Sequence, residues 1–376
     1  MSKIRVIISI LMCVAMALFL CFSPQYIITG TDRDRVGEWL TPSKEGFTGT
    51  ISVWHIVGFK PYIGGVSNWL SARAKTVEKR HFGVFIEVEA MTLAECEERM
   101  KNGECADMYS FPSGWCGSSI LRPIGAVVAD DIDGRFLSTG VSSGEQYAVP
   151  YMYSGYMLAL NTDVANERSV ELPNGETFTN EWACDAAKKM SFERGKKRER
   201  VYGAAGNRTV AALLGIVGDV GKHEHFRANE AAMTVTDMRG IGDLERAAAN
   251  GNDISIRYYP IGEYTDLVQY IGVAAGTDEA KLPYALEFIE QLFTEKAQEK
   301  LVQIGLFPVV LPEEKYVFEQ TCAGLLYEAL LDTRIPNTFL LNSARTDIEN
   351  AVENALVTGE TDRLKKIVES LRQQKK

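Results

Sequence analysis

Four histidines, seven cysteines and scattered carboxylates are what this 376-residue chain offers for chemistry. His223-Glu224-His225 brings two imidazoles near one point, but no further ligand stands at usable spacing, and a charged loop is the simpler reading. Asp131-Ile132-Asp133-Gly134 matches part of a calcium loop, yet the first position would be Ala129 and the twelfth Gly140, so the match fails. No metal or other cofactor is expected. Five cysteines, Cys96, Cys105, Cys116, Cys184 and Cys322, lie in the body of the chain without a Cys-x-x-Cys, which supports neither a zinc ribbon nor a redox motif. Being odd in number, they leave at least one thiol unpaired; a Cys105–Cys116 or Cys96–Cys105 pair and buried free thiols both stay open. There is no Gly-x-Ser-x-Gly, P-loop or Gly-x-Gly-x-x-Gly, and adjacent acids such as Asp130 and Asp131 occur in any acidic chain. No catalytic residue is assigned, which favours binding over an enzyme.

Aromatic residues are the better lead. In Tyr147–Asp163, YAVPYMYSGYMLALNTD, a short strand pattern meets Pro150, restarts as the apolar run Tyr156–Leu160 and ends at the turn signal Asn161-Thr162-Asp163. Tyr151, Tyr153 and Tyr156 surround Gly155 and could form an aromatic surface on a crossing segment. The alternative is a buried β-hairpin whose tyrosines are core.

Gly144, Tyr147, Ala148, Val149, Pro150 and Tyr151, followed by Leu158, Asn161 and Asp163, resemble the first hinge of the extracellular solute-binding proteins of ABC importers. The pattern is most similar to the carbohydrate-binding, maltose-binding-protein-like group. Elements on either side agree in order. Ile51–Val57 is a buried strand, Ser67–Arg80 a helix, and Val84, Ile86 and Val88 alternate as a second strand. Thr92-Leu-Ala-Glu95 is a capping box, Gly103 closes its helix, and Ala106–Phe111 is a third strand. This succession specifies a parallel sheet in an α/β lobe. Ligands of open α/β sheets bind at the carboxyl edge, which makes Tyr62, Ser110 and Trp115 candidates. His55, where the first strand meets its loop, joins them.

Beyond the crossing, Thr179–Lys189, Val201–Gly206 with the helix after it, and Glu230–Arg239 resemble successive elements of the family's second lobe. Asp237 and Arg239 stand where the family more often has Gly and Trp; they could bond ligand hydroxyls or pair with each other. Ile254–Tyr259 and Tyr270–Gly276 read as strands, Ala297–Val309 resembles the family's Gln-containing helix with Gly-x-x-Pro-Val, and Ile348–Leu371 forms two helices broken at 359–361.

The resemblance implies a two-lobed periplasmic-binding-protein-like α/β fold, each lobe a mostly parallel sheet flanked by helices. Residues 49–151 plus 269–308 form lobe 1 and 152–268 plus 309–376 form lobe 2, with crossings near 150–155, 267–270 and 306–312. It implies capture of a small solute by hinge closure and delivery to an ABC permease, by a monomer. The site set is His55, Tyr62, Ser110, Trp115, Tyr151, Tyr153, Tyr156, Asp237 and Arg239. Aromatic faces suit sugar rings, so a sugar or oligosaccharide is expected. An exported carbohydrate-active enzyme and a binding protein feeding a membrane sensor are the alternatives.

Composition is globular, 46% hydrophobic and 24% charged, and a net charge of −10 argues against nucleic acid. The basic run Arg194–Arg200 reads as a solvated loop or helix end. Lys3 and Arg5 precede an apolar stretch from Val6 to Phe22, so residues 1–25 read as an export signal or membrane anchor and 26–48 as a juxtamembrane linker. An uncleaved anchor is favoured, a cleaved signal second and lipidation at Cys21 third. Each places the body outside the cytoplasm, and the anchor tethers it to the outer face of the membrane.

Overall fold

A computed structural model of the protein describes residues 46–125, 132–251, 254–312 and 316–372. The expected N-terminal anchor, most of the linker and the carboxylates Asp130 and Asp131 lie outside these residues.

β1 (Gly49–Ile56) runs parallel to β2 (Val84–Met91) on one side and to β3 (Met108–Pro112) on the other. Ile51, Val53, Trp54 and Ile56 are buried, so most of the strand is covered on both faces, as a central α/β strand must be. The helix Val66–Glu78 buries Val66, Trp69, Leu70, Ala74 and Val77, a single stripe at helical spacing. The capping box at Leu93–Lys101 is formed: Glu95 N donates to Thr92 Oγ1 at 3.2 Å and Thr92 N donates to Glu95 Oε2 at 2.7 Å.

The remaining strands are β4 (Val141–Ser142), β5 (Glu145–Gln146), β6 (Val149–Tyr153), β7 (Tyr156–Asn161), β8 (Phe192–Arg194), β9 (Glu199–Val201), β10 (Ala204–Gly206), β11 (Val220–Gly221), β12 (Met233–Thr236), β13 (Ile256–Ile261), β14 (Val268–Val273) and β15 (Phe307–Pro308). One sheet has the order β15-β6-β14-β3-β1-β2 and the other β11-β10-β12-β7-β13. Each has a parallel half, β1–β3 in the first and β10–β12 in the second, where strands alternate with helices. Each also has an antiparallel half, contributed by strands on either side of a crossing.

β6 and β7 pair in different sheets, so Ser154-Gly155 crosses between lobes and the stretch is not a hairpin. Its tyrosines are nonetheless core, Tyr151 and Tyr153 being 0% and 1% exposed. The second crossing, residues 262–267, lies beside the first: Ser154 N donates to Leu267 O at 2.8 Å, and Thr265 Oγ1 donates to Ser154 O at 2.7 Å. The chain leaves the first sheet again after β15, and the helix Thr321–Leu330 then packs on β13. Helices Arg345–Thr358 and Asp362–Arg372 break at Gly359, whose φ of +81° suits a left-handed cap, and join the core of the second lobe.

The basic run caps the β8–β9 hairpin rather than a helix. His223 and His225 sit in a short helix, His223–Arg227, rather than a loop. Among the described residues no cluster could hold a metal ion, and no helix is long and apolar enough to cross a membrane. All five body cysteines are free thiols.

Candidate functional site

The loop after β1 reaches the helix that follows β12 in the second lobe, and the loop after β3 reaches helices near the C-terminus. After β1, Tyr62 reaches the helix Met238–Ala249, which follows β12. Its phenol donates to the Glu245 carboxylate, and Arg246 Nη1 donates to the Tyr62 carbonyl at 3.4 Å. Loss of solvent, then the bond and negative charge of Glu245, push the Tyr62 phenol up to about 12. After β3, Gly114 N donates to Thr338 Oγ1 and Gly114 O accepts from Arg345 Nη2, both at 2.9 Å. Arg345 begins a helix held to the second lobe by Arg208 Nη2–Glu353 Oε2 at 2.9 Å.

Beneath the first lobe's loops runs a buried polar chain. His55 Nδ1 lies 2.8 Å from Ser110 Oγ, which lies 2.9 Å from Tyr151 Oη. Gln269 Nε2 donates to Ser110 Oγ at 3.2 Å and to Ile56 O at 2.9 Å. Burial pushes the His55 imidazole down to about 4, so it is neutral near pH 7. Tyr151 stacks on Trp69, and Tyr153 packs against Phe136 and Phe307 at 4.8 and 5.3 Å between ring centroids. These two tyrosines, expected on an open back wall, therefore lie inside the first lobe's core, because both faces of β6 are covered. Trp115 keeps 9% exposure beside Tyr109 and Phe111.

On the second lobe Tyr156 Oη donates to Asp266 Oδ1 at 2.7 Å and accepts from Asn207 Nδ2 at 3.1 Å. Burial raises the carboxyl of Asp266, and likewise that of Asp237. Asp237 caps the helix it begins, accepting from Gly240 N at 2.9 Å. Arg239 pairs with Asp243, Nε to Oδ1 at 3.7 Å, not with Asp237 as one expectation had it. The structure thus joins His55, Ser110 and Tyr151 in one chain and sets Asp237 and Arg239 on the helix that Tyr62 touches. Tyr153 stays apart in the core. Asn207, Glu245, Arg246, Asp266 and Gln269 were not singled out by sequence. Asn207 alone had a local signal, an N-cap residue before the helix Arg208–Leu213.

No family model and no curated protein sequence matches the chain. Solved structures do. One is an ABC substrate-binding protein from Listeria monocytogenes in complex with cycloalternan, at 14% identity and TM-score 0.57, covering 86% of this chain and 98% of that one. Another is the GacH receptor of Streptomyces glaucescens, solved unliganded and with acarbose, at 15% identity and TM-score 0.57, covering 87% and 98%. A third is the Thermus thermophilus maltotriose binding protein with maltotriose, at 19% identity and TM-score 0.51, covering 86% and 98%. These likenesses define the fold of this chain: two-lobed, periplasmic-binding-protein-like, of the kind seen in maltose-type solute-binding proteins.

Proposed function

We propose that this protein is an extracytoplasmic solute-binding protein that captures a sugar or oligosaccharide between its lobes, closes about the crossings and delivers it to an ABC permease. The observation that carries this reading is the meeting of the loop after β1 with the helix after β12, which brings aromatic and polar side chains together between the lobes. Tyr62 is a half-buried ring at that meeting, Trp115 and Tyr156 lie beneath it with 9% and 5% exposure, and Asp237 and Arg239 supply groups for hydroxyls. His55, Ser110 and Tyr151 hold the first lobe's loops from beneath, and Tyr153 fixes β6. The similar structures bound to cycloalternan, acarbose and maltotriose support a glycan ligand. In this reading lobe 1 is residues 49–151 plus 269–308 and lobe 2 is 152–268 plus 309–376, although β6 carries the first sheet on to Tyr153 and β14 enters it from Val268. The apolar stretch from Val6 to Phe22, within residues 1–25, tethers the monomer to the outer face of the cell membrane.

Calorimetric titration and thermal melts against a panel of glycans, peptides and polyamines test the reading. Stoichiometric binding of a glycan with a raised melting point is expected, since a ligand bound only by the folded state stabilises it. Stabilisation by peptides or polyamines alone would count against a sugar. Turnover of an oligosaccharide without stoichiometric binding would instead make the protein an enzyme.

A further inference from the structure

Tyr62 sits in a slot with one glycine on each side. A Cβ placed on Gly242 would lie 2.9 Å from the Tyr62 carbonyl oxygen and 3.1 Å from its Cδ2, and a Cβ on Gly305 would lie 2.6 Å from Tyr62 Cβ. Gly242 belongs to the second lobe's helix Met238–Ala249, while Gly305 lies in the turn before β15 of the first lobe. Met238 and Ile241, on the same helix as Gly242, are fully buried and join the apolar cluster around the first sheet. Next to them are the contacts of Tyr62 with Glu245 and Arg246. At a second seam Arg345, which begins a helix of the second lobe's core, donates from Nη2 to Gly114 O at 2.9 Å.

We propose that the two lobes close on each other through these seams with no ligand between them, and that Gly242, by lacking a side chain, is the residue that lets Tyr62 dock. A ligand shifts an open–closed balance only by its difference in affinity for the two forms. Direct lobe-to-lobe contacts favour the closed form whether or not a ligand is present, so they set its population in the free protein.

Gly242→Ala separates closure from folding. Alanine is the better helix former, so the second lobe's helix is not weakened, but its methyl has room only if Tyr62 withdraws from the helix. Small-angle X-ray scattering of the ligand-free protein reads the outcome, with circular dichroism as the check on folding. The wild type is expected to match the closed arrangement, and Gly242→Ala to give a larger radius of gyration at unchanged helix content. Glu245→Gln should move the same way by less. An extended wild-type profile overturns the proposal, as does a folded Gly242→Ala with the wild-type profile. Should Gly242→Ala not fold, Glu245→Ala combined with Arg345→Ala takes its place, and an unchanged profile there is equally decisive against it. The readout uses no sugar, so a protein that bound no glycan would sink the transport reading and leave this one standing.

Discussion

Trp69 and Tyr151 stack face to face, 5.6 Å between ring centroids and 6° between planes, with the Trp69 indole N–H bonded to Ala297 O at 2.9 Å. The pair joins a helix, a crossing strand and the helix Glu295–Gln303 inside one lobe. Tyr151→Ala is expected to destabilise the fold by about 3–5 kcal/mol, the usual range for emptying a buried aromatic site. Tyr151→Phe keeps the stack, loses the Ser110 bond and should cost about 1 kcal/mol. Urea titration of both variants measures this. A stable Tyr151→Ala that had lost glycan affinity would return the ring to the ligand surface.

His55 predicts an acid-side loss of stability. Its folded-state pKa is depressed to about 4 by burial, against 6.5 for the free side chain. The unfolded chain therefore binds the proton first, and stability falls as pH drops from about 6.5 towards 4. The loss is on the order of 3 kcal/mol, at about 1.4 kcal/mol per pH unit over that window. Denaturant midpoints from pH 8 to pH 4 should show it, and His55→Gln should flatten that part of the curve.

Tyr156→Phe removes a donor from the buried carboxyl of Asp266. A buried acceptor left short of a partner costs about 1–3 kcal/mol. The loss should appear in stability before affinity, as a lowered melting temperature in ligand-free protein. No change in melting temperature would mean that Asp266 is satisfied without Tyr156.

Arg239 is the contrasting case, a third exposed and lightly engaged with Asp243. Arg239→Ala should change folding stability by no more than about 0.5 kcal/mol. If its guanidinium bonds a ligand hydroxyl, glycan affinity should fall by about 1.5–3 kcal/mol. Calorimetric titration of the variant decides, and unchanged affinity removes Arg239 from the site.

Legibility in the sequence tracked how local each signal was. The Thr92–Glu95 box, the stripe on Val66–Glu78 and the break at Gly359 need only neighbours within a few residues, and each stands where expected. The stretch around Gly155 was ambiguous because a hairpin and a crossing share one local pattern. Whether β7 pairs with β6 or with β12 and β13 depends on residues far along the chain. Tyr151 and Tyr153 lie just before Gly155 at the crossing, a place that suits a ligand surface and a core equally well. What buries them, the cover on both faces of β6, comes from residues far along the chain. Glu245 and Arg246 read as ordinary helix-surface charges, and only the approach of Tyr62 marks them out.

β14 lies between β3 and β6 in the first sheet, so a strand beginning at Val268 separates two that are made long before it. During synthesis the first lobe therefore cannot be completed from its own early residues. A chain ending before Val268 would leave β3 and β6 with unpaired inner edges and would uncover part of the surface around Phe111 and Tyr151. Such edges invite pairing with other chains, and contacts this distant in sequence form slowly. The nascent protein must thus remain unfinished until its last third has emerged, and in that interval it depends on being held apart from its copies.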